Sequence, residues 1–201
     1  PQIGWANLCY VALALGAFQG GQIMALFGQQ SPATGAGLGL SATVAGFLLL
    51  PANFITAACY PLVARLVDRL GARDVTTLGF LLIIAGFGSL VVQHSQPLLV
   101  MVLLVIQSVG LGVVYVTVQI VIVKAAPLDR VSEATGMMAV IRSTAMAIGA
   151  QTVATLLSAG GHHGAGAGSA AIFPSERDYI VVFLFVCATA ALGALISRKL
   201  P

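Results

Sequence analysis

Arg142 lies near the middle of an apolar run from Glu133 to Ser158, where its charge cannot easily reach water at either end. An arginine at the centre of a bilayer costs about 2.5–3.5 kcal/mol on insertion scales. A cost of that kind implies a buried partner, a water-filled cavity or an anionic ligand. A structural arginine bonded to carbonyls of neighbouring helices would meet it equally well. No Asp or Glu lies deep in any apolar run of this chain. The partner of Arg142 is therefore a neutral polar group or a group outside these residues.

Neutral polar groups recur at helical spacing. Ser108, Gly112, Tyr115 and Gln119 fall at i, i+4, i+7 and i+11, on one face of a helix. That face is too polar for lipid and is expected to turn inward, either to line a path or to bond a neighbouring helix. Gln19 and Gln22 form a similar pair, and Asn53 follows Pro51, whose ring frees a backbone carbonyl and can kink a helix. With Arg142, Gln19, Gln22, Asn53, Tyr115 and Gln119 describe a cavity with neutral polar walls and much apolar surface. The polar stretch from Ala64 to Asp74 contains Arg65, Asp68, Arg69, Gly71 and Arg73. Gly71 suits a left-handed helix-ending position. Asp74 suits the start of the next helix, where a carboxylate caps free amides and meets the positive end of the dipole.

Other residue types offer less. His162 and His163 are adjacent and have no flanking carboxylate or cysteine, so they read as a solvated loop rather than a metal site. Cys9, Cys59 and Cys187 each sit in an apolar run as small packing residues. No metal or cofactor is expected, and no basic, aromatic-interleaved stripe points to nucleic acid.

The elements that must position these groups follow from composition. The chain is 59% hydrophobic and 7% charged, with a mean hydropathy of +1.02. A soluble domain carries about 25% charged residues, so the medium is lipid, which leaves helices or closed barrels. The apolar runs match helices of about 20 residues rather than tilted strands of about 10. Six spans are predicted, at 4–27, 41–64, 75–92, 98–123, 133–158 and 179–196. Seven of the nine Lys and Arg fall on the side shared by both ends of the segment, and only Arg177 falls on the other. By the positive-inside rule both termini of this segment are cytoplasmic. The outer segments are loops: 29–40 is rich in Gly, Ser and Pro, and 159–178 is expected to be flexible. Gly16 and Gly20, Gly79 and Gly86, and Gly136 and Gly149 are placed to let helices approach closely.

The turn at 64–74 resembles the loop signature of the major facilitator superfamily, G-x-L-x-D-R-x-G-R-R/K. Leu66, Asp68, Arg69, Gly71 and Arg73 match it, while Ala64 stands for its first Gly and Ala72 for the first Arg of its final pair. The stretch from Gly39 to Gly46, followed by Leu48 to Pro51, is similar to the eighth-helix region of actinobacterial multidrug exporters of the fourteen-helix, drug:proton antiporter branch. So is Pro127 to Arg130 leading through Gly136 and Arg142 to Gly149. The resemblance implies an all-α membrane protein whose six transmembrane helices form the C-terminal half of a major facilitator fold. It implies alternating access, a charge cluster of Asp68 with its arginines that stabilises one state, and coupling acids in an N-terminal six- or eight-helix half. The degraded signature and a chain that begins at Pro1 without Met fit a piece of a longer polypeptide.

The function implied is proton-coupled export of hydrophobic or cationic drugs through a bacterial plasma (inner) membrane, driven by the proton gradient and with a small hydrophobic molecule and the bilayer as partners. A transporter of the same fold for an endogenous lipid or metabolite is the alternative. A six-helix protein acting as a homodimer and a non-transport membrane protein are the remaining readings; no channel filter or protease constellation supports the latter.

Overall fold

The structure is a computed structural model that describes residues 2–31, 37–93, 96–159, 162–163 and 172–200. The chain is helical, as expected, and among the described residues six spans are long and apolar enough to cross a membrane. The first span is broken. Helix α1 (Gln2–Leu15) gives way to a 3-10 turn at Ala17–Gln19 and then to α2 (Gly20–Gln29). The pair Gly16 and Gly20 brackets this break, with Gln19 N–H donating to Gly16 O at 2.9 Å. Five unbroken helices follow: α3 (Ala42–Leu70), α4 (Ala72–Val92), α5 (Pro97–Ala125), α6 (Val131–Ala159) and α7 (Glu176–Ser197). A 3-10 turn at Leu128–Arg130 joins α5 to α6.

Helix α4 is wedged between α5 and α7, and α5 also carries α3 and α1. Helix α1 touches α5, α6 and α7, and the first span to which it belongs (Gln2–Gln29) is the most enclosed among the described residues, with 61% of its most apolar stretch buried. The corresponding shares are 18% for α3 and 22% for α6, so these two form the open flanks of the bundle. Lipid gives helices no hydrophobic reason to associate, so close packing must supply the attraction. Gly79 on α4 and Gly110 on α5 meet back to back: a methyl group on either would run into the other's carbonyl oxygen. Gly149 on α6 lies against the backbone of Leu15. Gly136 differs from the expected packing role, because no atom lies within 4 Å of where its Cβ would be.

The end of the bundle that carries Gln30 and Pro174 is held by a ladder of aromatic rings and one polar latch. Phe27 meets Tyr179 edge-on at 5.1 Å, and Phe183 stands 5.9 Å from Phe87. The Tyr179 hydroxyl donates to Gln30 Oε1 at 2.7 Å, and Gln30 Nε2 donates to the carbonyl of Pro174 at 2.7 Å. The described residues of the segment 29–40 make regular backbone hydrogen bonds that a loop reading does not imply. Gln29 ends α2, and Leu38, Gly39 and Leu40 donate back to the carbonyls of Phe27, Gln30 and Gly28. Residues 32–36 lie outside the described part.

The expected flexible loop at 159–178 contains a short antiparallel pairing of β1 (His162–His163) with β2 (Ile172–Phe173). It ends in a capping box: Ser175 N–H and Oγ both bond Asp178 Oδ2, at 2.8 and 2.7 Å, so the last helix starts three residues before Tyr179. Residues 160–161 and 164–171 lie outside the described part.

Candidate functional site

Three helices bring polar groups to the middle of the bundle. Arg142 on α6 donates from Nη1 to the hydroxyl of Tyr115 on α5 at 3.3 Å. Tyr10 on α1 stacks near Tyr115, with ring centroids 5.7 Å apart, and Phe18 completes a triangle at 6.2 Å from Tyr10 and 6.0 Å from Tyr115. Tyr10 is fully buried. Its hydroxyl is close enough to feel both Tyr115 and the guanidinium, yet it satisfies no hydrogen bond. Arg142 Nε is also buried and without a hydrogen bond. The cluster therefore holds one long hydrogen bond and two unsatisfied donors around a permanent charge, with no carboxylate beside it.

A cavity of about 340 Å³ opens next to this cluster, between the break in the first span, α3 and α5. Phe18 belongs to both, since it packs on Tyr115 and lines the cavity. Asn53, Thr56 and Tyr60 come from α3, Gln107, Ser108 and Leu111 from α5, and Ala17 and Gly21 from the first span. Gln107 is buried: its Nε2 donates to Ser108 Oγ at 3.2 Å while its Oε1 accepts nothing. The walls thus combine a few amide and hydroxyl groups with aromatic and aliphatic surface.

The sequence-derived candidates fall in different places. Asn53 lines the cavity and Tyr115 holds Arg142. Gln19 does not present its amide to the cavity: Nε2 donates to the carbonyls of Ala14 and Met146, both at 3.1 Å. It thereby bonds one of the carbonyls left by the helix break and ties α6 to it. Gln22 is exposed on α2, and Gln119 is half-buried on α5 and does not line this cavity. The face Ser108, Gly112, Tyr115, Gln119 is divided between neighbours. Gly112 abuts Thr56 and Tyr60 of α3, whereas Tyr115 turns to α1 and α6. Tyr10, Phe18 and Gln107 had no polar pattern around them to mark them out.

At the opposite end of α3 the turn differs from the expected geometry in three respects. Gly71 has φ 88° and ψ 156°, an extended mirror region open to glycine alone, rather than a left-handed helical one. Gly71 itself occupies the position preceding α4, so Asp74 lies within the first turn and makes no capping hydrogen bond. It still meets the positive end of the helix dipole. Asp68 pairs with Lys124 of α5 at 2.9 Å instead of with its neighbouring arginines. Arg65, Arg69 and Arg73 point outward, exposed. The link therefore staples the ends of α3 and α5, 56 residues apart in the chain. Among the described residues no group of three or more His, Cys, Asp or Glu could hold a metal ion. The side chains of His162 and His163 lie outside the described part.

Six membrane-length helices, a charge-bearing turn after the second of them and a polar-walled cavity between helices define a transport-type membrane bundle. The chain belongs to the Major Facilitator Superfamily, whose family model matches residues 10–200. It is accordingly part of transporter machinery rather than an enzyme. It is similar to multidrug resistance protein Stp of two Mycobacterium tuberculosis strains, CDC 1551 / Oshkosh and H37Rv, with 30% identity over 122 residues, 60% of this chain. It is likewise 30% identical over 129 residues, 63% of this chain, to the uncharacterized transporter YebQ of Escherichia coli K12. The matching stretch spans 23% of the length of Stp and 28% of that of YebQ.

Proposed function

We propose that the chain forms the C-terminal six-helix half of a secondary exporter that moves hydrophobic or cationic drugs across a bacterial plasma membrane by alternating access, coupled to inward proton flow. The observation that carries this reading is the cavity at Phe18, Asn53, Gln107 and Ser108. Walls that mix amides and hydroxyls with aromatic and aliphatic surface suit loose recognition of varied amphipathic molecules. The name of the relative Stp supports the same substrate class. The open flanks support a second half. Asn53 on α3 and Ser143 and Gln151 on α6 are exposed there, and polar groups in mid-membrane belong against protein or a water-filled space. The spans of this chain contain no deep acid, so proton-binding carboxylates are assigned to the other half. The charge asymmetry of the loops supports cytoplasmic termini for this segment.

The test is reconstitution of the full-length polypeptide in liposomes with a lipophilic cationic dye. Dye is expected to move against the proton gradient and to stop when a protonophore collapses it. Movement indifferent to the gradient would reject the coupling, and no movement would reject the exporter reading. An endogenous lipid or metabolite as substrate is favoured by one observation, the fixed positive charge of Arg142 beside the cavity. Competition of the dye by membrane lipid extracts would support that alternative.

A further inference from the structure

A guanidinium on an apolar span needs an anion or a full set of acceptors, and Arg142 is half-buried with its Nε fully enclosed. The six acids of this chain supply neither to Arg142. Asp68 is paired with Lys124, Asp129 lies beside Arg130, and Asp178 is held in the capping box of α7. Asp74 and Glu176 sit in first helical turns. Glu133 on the same helix as Arg142 is nine residues away, about 13 Å along the axis at roughly 1.5 Å per residue. What Arg142 has is Tyr115 at 3.3 Å, and a hydroxyl leaves most of the charge uncompensated. Its own Nε and the Tyr10 hydroxyl are buried and make no well-formed hydrogen bond, although the Tyr10 hydroxyl lies near Tyr115 and the guanidinium. Unmet buried donors are costly, more so beside a charge, and a ligand that accepts from them recovers that cost.

We propose that Arg142, Tyr115 and Tyr10 form a recognition site for an oxyanion, and that the group it receives is the carboxylate of a zwitterionic or anionic hydrophobic substrate. A carboxylate has two oxygens and about four lone-pair directions, enough for the guanidinium fork and two phenolic hydroxyls. Phe18 connects the site to the cavity, so the apolar body of the same molecule would lie against Phe18 and Leu111 while its acid reaches Arg142. This inference rests on the exporter reading and narrows it from cations to molecules that also carry an acid. A carboxylate side chain from the other half of the protein would offer the same chemistry, and the experiment separates the two sources.

The measurement is fluorescence anisotropy of two dyes with the purified full-length polypeptide: a rhodamine bearing a free benzoate carboxylate, and the methyl ester of the same dye. The wild type is expected to bind the free acid more tightly, and Arg142→Gln to lose that preference by about tenfold or more, the scale of one charge-assisted hydrogen bond, with ester binding unchanged. Arg142→Lys keeps a charge and is expected to retain part of the preference. Tyr10→Phe is expected to lower free-acid affinity alone. No acid preference in the wild type, or a preference that survives Arg142→Gln, overturns the proposal. Equal loss of both dyes in Arg142→Gln but not in Arg142→Lys overturns it in favour of a carboxylate from the other half. Transport of the ester dye in liposomes reads the exporter function separately: ester transport without acid preference sinks this inference and leaves that reading standing, whereas acid-selective binding without transport of either dye does the reverse.

Discussion

Gln19 and Gln22, three residues apart in the same span, do different work. The Gln19 amide bonds two carbonyls at 3.1 Å, whereas Gln22 is exposed. Gln19→Leu leaves Ala14 O and Met146 O without that donor and is expected to destabilise the protein by about 1–3 kcal/mol, while Gln22→Leu leaves stability unchanged. Thermal unfolding of the two purified variants decides between this and equal effects. Asp68 and Lys124 are each about two-thirds exposed, so their pair contributes under about 1 kcal/mol to folding. Asp68→Asn is therefore expected to insert and fold normally but to slow dye transport severalfold, and exchanging the two residues (Asp68→Lys with Lys124→Asp) to restore part of the rate. No recovery in the exchanged pair would show that the link itself is not what matters. Sequence marked Arg142, Tyr115, Asn53 and Asp68 because a polar residue in an apolar run is conspicuous. It could not name Lys124 as the partner of Asp68, since local spacing carries no information across 56 residues. Tyr10 passed unnoticed because a tyrosine reads as apolar until its hydroxyl is seen to lack a partner.

Elements obey hydropathy closely and backbone detail less so. The six spans were legible because helices are the economical way to satisfy every amide in lipid. The break in the first span was not: Gly16 and Gly20 have the spacing of a packing motif, and only the tertiary contacts of Thr189 with Gly16 and of Phe87 and Gln107 with Gly20 show how tightly the break is held. Two glycines give opposite predictions. Gly71 has open space around it but φ 88°, so Gly71→Ala is expected to cost about 1–3 kcal/mol from backbone strain alone. Gly136 is helical with equal space, so Gly136→Ala is expected to stabilise by up to about 1 kcal/mol through helix propensity. Unfolding midpoints of the two variants moving in the same direction would contradict this. Gly149→Val places a branched side chain into the backbone of Leu15, and a sharp drop in folded yield, measured as the monodisperse fraction after solubilisation, is expected.

For the whole molecule, the uneven burial of the spans is the feature with most consequence. A bundle sealed on every side would bury its helices evenly, but α3 and α6 are open and carry polar groups outward, while α1 is enclosed. That asymmetry was not readable from hydropathy, which scores all six spans as apolar, and on the proposed reading the cavity at Asn53 is one wall of a larger space. The central claim is that this wall is exposed in turn to each side of the membrane. Its most direct test is Asn53→Cys in full-length protein whose Cys9, Cys59 and Cys187 are replaced by serine, labelled with a membrane-impermeant thiol reagent from either side. Labelling from both sides, with the balance shifting when a proton gradient is imposed, is the predicted result. Labelling from one side only, or from neither, whatever the gradient, would contradict the account.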